Sequence, residues 1–115
     1  MEEGLKVSVI VISNDSETVW NAFRFATTCL IYDNSVTVFL LGKGVEAPTV
    51  GNLRFDIQAQ IELFREEGGT MIGCGVCCEN RSETMPLLVE SLDCQLGSMQ
   101  DLYDLAIDAD KVLTF

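Results

Sequence analysis

Three of the five cysteines fall within five residues, Cys74-x-x-Cys77-Cys78, while Cys29 and Cys94 stand apart. Cysteine acts as a nucleophile, metal ligand or redox partner through its thiolate. The chain contains no histidine, which excludes Ser/His/Asp triads, Cys/His pairs and every histidine-containing zinc site. Cysteine is left as the reactive group. A short apolar run, Thr70-Met71-Ile72-Gly73-Cys74, places Cys74 at the carboxyl end of a strand. A helical turn beginning around Cys77 would lower a thiol pKa at its start from about 8.5 toward roughly 3.5–7.5. Gly73 and Gly75 flank Cys74 and leave room for a partner's sulfur to come close. Cys74 and Cys77 are also spaced to close a disulfide.

Other chemistries fit less well. A structural zinc or iron–sulfur site takes four ligands, usually as two CxxC pairs, and only one pair is present; no metal is expected. In a thioredoxin-like protein the CxxC opens a helix after an early strand, whereas this one follows the third strand. The cluster read as simple packing makes cysteine a small hydrophobe, the reading preferred for Cys29 and Cys94. Lys43, in the loop after the second strand, is either a solvated turn residue or a positive charge supplied to an anionic sulfur. Arg81 carries the same two readings.

The elements that must position these residues alternate in type. Leu5–Ile12 is β-branched and apolar, as a buried strand is. Asn14 and Glu17 suggest a capping box for a helix with Val19, Ala22, Phe23, Ala26 and Leu30 at helical spacing, stopping at Asp33-Asn34. Val36–Leu41 is a second strand, ending at Gly42-Lys43-Gly44 and followed by a loop with Pro48 and Gly51. Ile57, Ile61 and Phe64 mark a second helix closed by Gly68-Gly69. After the cysteines come a helical piece at Pro86–Glu90 and a short strand at 92–96. A last helix follows, capped by Ser98 and Asp101, and a fifth strand closes the chain at Lys111–Phe115. Strands alternating with helices, without hairpin signals, imply a parallel sheet covered on both faces.

In such sheets ligands gather outside the carboxyl ends of the strands. The turn after the first strand there, Ser13-Asn14-Asp15-Ser16, has no glycine and is acidic, unlike a dinucleotide or flavodoxin-type phosphate loop. A receiver-type domain would place an aspartate where Cys74 stands.

The length of 115 residues, with 48% hydrophobic and 22% charged residues, suits a single domain spanning 1–115. Eighteen acids against seven bases give a net charge of −11. Residues 66–115 carry −8 of it. So negative a surface repels phosphate backbones and anionic lipid, and no nucleic-acid partner is expected. No run approaches the roughly 18 apolar residues of a membrane helix. The start, Met1-Glu2-Glu3-Gly4, is acidic where a signal peptide is basic, which predicts a cytoplasmic protein. In that reducing setting the cysteines are expected to be thiols, metal ligands or redox groups rather than a disulfide framework.

Several of these residues together resemble the DsrE/DsrF-like family of small sulfur-transfer proteins, along nearly the whole chain. The resemblance lies in Lys6-Val7-Ser8-Val9-Ile10-Val11, Cys74 at the third strand's end, Gly97-Ser98-Met99-Gln100-Asp101-Leu102, and Ala109-Asp110-Lys111-Val112-Leu113-Thr114-Phe115. It implies a three-layer α/β/α fold with a five-stranded parallel sheet, homo-oligomers of three or six chains, and persulfide chemistry at the position of Cys74. Many relay members of that family carry one cysteine there, whereas this chain adds Cys77 and Cys78.

The expected activity is that of a sulfur carrier or sulfurtransferase, holding sulfane sulfur on Cys74 with Cys77 and Cys78 as resolving or alternative thiols. Donor and acceptor would be proteins or small persulfides, and no cofactor is required because the S–S bond supplies the electrophile. The alternatives are an oligomeric binding subunit whose cysteines pack or bind metal, and a CxxC redox or sensor protein. A second apolar stripe on the first helix, Trp20, Phe23, Thr27 and Ile31, predicts a subunit interface, with the Cys74 pockets near subunit boundaries.

Overall fold

The computed structural model describes residues 4–115; the acidic start at Met1-Glu2-Glu3 lies outside them. Five strands form one sheet: β1 (Lys6–Val11), β2 (Ser35–Leu40), β3 (Thr70–Cys74), β4 (Gln95–Gly97) and β5 (Lys111–Thr114). Their order is β4-β3-β2-β1-β5, and every pairing is parallel. Five helices, α1 (Ser16–Ile31), α2 (Ile57–Glu66), α3 (Gly75–Glu79), α4 (Leu88–Leu92) and α5 (Met99–Asp108), connect them, together with a 3-10 segment at Gly42–Thr49. The architecture is the expected three-layer α/β fold.

Alternation along the strands divides the sheet. Val7, Val9, Val11, Val36, Val38, Leu40 and Met71 are buried on one face, because successive strand side chains point to opposite sides. Helix α1 covers that face with Val19, Ala22, Phe23 and Ala26, and α2 with Ile57, Ile61 and Phe64, all buried. Phe23 and Phe64 meet edge-on, their ring centroids 5.6 Å apart. Gly68, at φ +97°, ends α2 in the left-handed conformation that only glycine adopts freely, turning the chain into β3.

The opposite face is covered sparingly. Helix α5 crosses it, and the Ser8 hydroxyl donates to the Leu105 carbonyl at 2.9 Å. Ser98 and Asp101 cap this helix reciprocally, as their spacing predicts. No residue of α5 is fully buried; Met99, Tyr103 and Ile107 are each at least 60% exposed. They recur every four residues, so they form one outward stripe.

Four local expectations are corrected. The first helix is capped by Asp15, whose carboxylate accepts from the Thr18 amide and hydroxyl; Asn14 instead donates to Glu46 at 3.3 Å. The loop after β2 is wound into the 3-10 segment, with Pro48 inside it, because Val45, Ala47 and Pro48 bury against the core. The helical piece expected at Pro86–Glu90 and the strand expected at 92–96 lie slightly later, as α4 and β4. Burial of Leu88 and Leu92 fixes α4, and Arg65 holds its end by donating to the Leu92 and Asp93 carbonyls at 3.1 and 2.7 Å. Finally, of the second apolar stripe on α1, Phe23 and Thr27 are buried and Trp20 is half-buried on Phe55, so only Ile31, 60% exposed, stays at the surface. The outward apolar stripe belongs to α5.

Candidate functional site

Strand β3 ends at Cys74, which pairs in register with Gly97 of β4. Cys74 then turns the chain with φ −64° and ψ 117°, and α3 starts immediately at Gly75. A helix start leaves amides without partners, and the Cys74 sulfur takes one: the Cys77 N–H donates to Cys74 Sγ at 3.4 Å. Cys74 caps α3 much as Ser98 caps α5. The helix therefore begins two residues earlier than expected, so the CxxC does open a helix, one that follows the third strand.

The other thiols take different environments. Cys77 is half-buried, and its sulfur accepts the Gly42 amide at 3.2 Å, which ties α3 to the 3-10 segment. Burial pushes the Cys77 thiol up, reinforced by hydrogen bonding to Cys74 and opposed by the Gly42 amide and the Arg81 charge. Burial pushes Cys78 up as well. Cys74 and Cys78 are only 4% and 3% exposed, so Cys77 is the thiol of the three that meets solvent. Cys29 and Cys94 lie outside this cluster, and burial raises both. All five cysteines are free thiols.

A polar clamp surrounds Cys77. Arg81 Nε meets Glu46 Oε2 at 2.7 Å, and Arg81 Nη1 donates to the Cys77 carbonyl at 3.0 Å. Both charged side chains are about four-fifths covered, with 20% and 21% of their surface exposed. The Arg81 hydrogen bond holds the Glu46 carboxyl below its usual range. With Asn14 on the other Glu46 oxygen, the clamp joins three loops at the carboxyl edge of the sheet. It was only half visible in the sequence. Arg81 stands four residues after Cys77, a helical neighbour, but Glu46 is 35 residues away from Arg81 in the chain and carries no local signal.

The remaining predicted residues fall on either side. Gly75 sits beside the Gly97 carbonyl, and a side chain there would meet it at 3.6 Å. Gly73 is buried, and the space beside it is filled by Leu92, Cys94 and Leu96. Lys43 is exposed on the 3-10 segment, where its charge bears on Glu46; the cation bearing on the thiols is Arg81. Among the described residues, no three cysteine or carboxylate side chains converge as metal ligands. A cavity of about 350 Å³ lies under α5, lined by Lys6, Ser8, Thr37, Asp104 and Asp108, and no cysteine reaches it. No helix among the described residues is long and apolar enough to cross a membrane.

The arrangement sets the Cys74 sulfur in a sheltered place, with an amide donor on it and a second thiol in the same turn. Similar chains share the scaffold. An uncharacterized protein of Methanocaldococcus jannaschii is 30% identical over 116 residues, covering 96% of this chain and all of its own. Another, from Methanopyrus kandleri, is 29% identical over 119 residues, covering 98% and 97%. A solved structure of a conserved Bacteroides thetaiotaomicron protein of unknown function superposes with a TM-score of 0.74 at 21% identity, covering 96% of this chain and 94% of that one. The model of the DsrE/DsrF-like family matches residues 6–115, from the first strand to the last residue. The chain belongs to the DsrE/DsrF-like family.

Proposed function

We propose that the protein is a cytoplasmic sulfur carrier that holds sulfane sulfur as a persulfide on Cys74. The observation that carries this reading is the position of Cys74 at the end of β3, its sulfur accepting the Cys77 amide at 3.4 Å. A hydrogen-bond donor on that sulfur favours the negative charge it carries as nucleophile in loading and as leaving group in unloading. In loading, the Cys74 thiolate attacks the outer sulfur of a donor R–S–SH. The donor S–S bond breaks, R–S⁻ leaves, and the new bond is Cys74 Sγ–S. In unloading, an acceptor thiolate takes the same outer sulfur. Neither step changes the electron count of the pair, so no external reductant is needed. Because Cys74 is 4% exposed, the best donors and acceptors are thin: a small persulfide, a polysulfide, or the extended tip of a partner protein.

Cyanolysis tests the reading. After incubation with polysulfide or thiosulfate and removal of excess reagent, Cys77→Ser, which lacks the thiol neighbouring Cys74, is expected to yield thiocyanate. Cys74→Ser is expected to yield at least about tenfold less, since serine forms no persulfide. Full retention of labile sulfur in Cys74→Ser would sink the assignment.

We further propose a closed homo-oligomer of three or six chains, with the α5 stripe of Met99, Tyr103 and Ile107 against a second copy. Exposed apolar stripes on so acidic a chain are costly unless covered. Light scattering at moderate salt should give a multiple of the chain mass, and a monomer at micromolar concentration would remove the idea.

A further inference from the structure

The carrier reading leaves Cys77 without a task, yet the fold gives it the most particular surroundings of the three thiols. Cys77 occupies the third position of α3, with Cys74 as its cap. The Cys77 backbone nitrogen touches the Cys74 sulfur, and that nitrogen is three covalent bonds from Cys77's own sulfur. Residues three apart on a helical turn lie about 5–6 Å apart at Cβ. Cys74 is not itself helical, so rotation about its extended backbone and about the two side chains can close the rest. The Gly42 amide meets the Cys77 sulfur at 3.2 Å. Arg81, anchored on Glu46, fixes the Cys77 carbonyl at 3.0 Å. A packing cysteine needs none of these contacts.

We infer that Cys74 and Cys77 form a working dithiol pair, in which Cys77 discharges the Cys74 persulfide as hydrogen sulfide. This rests on the carrier reading and extends it from transfer to reductive release. The Cys77 sulfur attacks the inner sulfur of the persulfide, Cys74 Sγ, which is the atom its backbone already touches. The Cys74 Sγ–S bond breaks, and a Cys74–Cys77 disulfide forms. The outer sulfur leaves with the bonding pair as HS⁻, and the Cys77 proton completes H₂S. The sulfane sulfur gains two electrons, and the two cysteine sulfurs lose one each. Two equivalents of a small thiol, or one protein dithiol, then reduce the disulfide and reset the pair. Accordingly the substrate class is a sulfane-sulfur donor, and the co-substrate class is a thiol reductant. Cys78, buried and making no hydrogen bond to the Cys74 sulfur, is not required.

The test uses fully reduced protein, desalted from reductant, and one equivalent of cysteine persulfide. Sulfide is measured over a no-protein control, and the protein is quenched with acid and weighed intact. Wild type is expected to release sulfide and finish about 2 Da lighter than its reduced form, with a peptide map linking Cys74 to Cys77. Cys77→Ser is expected to stop about 32 Da heavier, with the extra sulfur on Cys74. Its sulfide release should be at least about tenfold slower, since the attacking thiol is no longer held beside its target. Both proteins holding the 32 Da adduct, without disulfide, would overturn the discharge and leave the carrier standing. Migration of the adduct to Cys77, or a Cys74–Cys78 link, would also overturn it. Neither protein gaining the adduct on Cys74 would overturn both readings together. The wild-type product mass decides even if the variant fails to fold.

Discussion

Gly44→Ala is expected to destabilise the protein by about 3 kcal/mol, the upper end of what overpacking usually costs. Gly44 lies in the 3-10 segment where that segment passes over the end of β1. A Cβ built there lands on the Val11 carbonyl oxygen and 2.6 Å from its carbonyl carbon. Neither neighbour can rotate away, because both are backbone. The Val11 oxygen is also committed, accepting the Leu41 amide at 2.9 Å as the chain leaves β2. Relief therefore requires the 3-10 segment to lift off β1, taking with it the Gly42 amide and the Glu46 carboxylate that reach Cys77 and Arg81. Two readouts should move together. The denaturation midpoint should fall with an unchanged slope, and in the folded fraction the Cys77 thiol should label faster. A variant as stable as wild type to within about 0.5 kcal/mol, the usual scatter of a neutral surface change, would show that the crossing is looser than described.

Phe64→Ala should cost about 3–5 kcal/mol, the range for removing a buried phenylalanine. Phe64 is fully buried, holds Phe23 edge-on at 5.6 Å, and joins α2 to α1 over the sheet. Its ring also packs against Gly69, where no side chain would fit. The cavity left behind is walled by main chain on that side and by a second large ring on the other, so collapse recovers little. Against a total stability of about 5–15 kcal/mol for a domain of this kind, that is a large share. Urea or guanidinium unfolding measures it directly. A loss below about 1.5 kcal/mol, the range of a volume-conserving core swap, would mean that α1 and α2 repack without the ring. Phe64 belongs to the helix layer and makes none of the thiol contacts, so the sulfur chemistry of the folded protein should stay as in wild type.

These two positions also mark what could be read without coordinates. Phe64 was legible: Ile57, Ile61 and Phe64 recur at helical spacing, and a helix with one apolar stripe has to bury it. Gly44 was legible only as punctuation after a strand. Its reason, a carbonyl oxygen 33 residues earlier in the chain, is a contact that no local pattern encodes.

The same division runs through the site. The sequence by itself determined the alternation of strands and helices, the parallel sheet, the Ser98–Asp101 cap and the placing of Cys74 at a strand end. Each of these follows from short-range period or from chemistry within a few residues. Tertiary structure alone decided where α3 begins. A five-residue helix has no period to read, and its start is set by β3 ending against Gly97 and by the Cys74 sulfur taking the Cys77 amide. Tertiary structure also decided that Arg81 faces Glu46, that Gly42 reaches Cys77, and that α5 rather than α1 carries the outward apolar stripe. For Arg81 with Glu46 and for Gly42 with Cys77, the partners are brought together by the parallel crossovers, which set residues 35 positions apart side by side at one end of the sheet. Sequence periodicity records which face of an element is apolar; only packing fixes what that face, or a loop beside it, will meet.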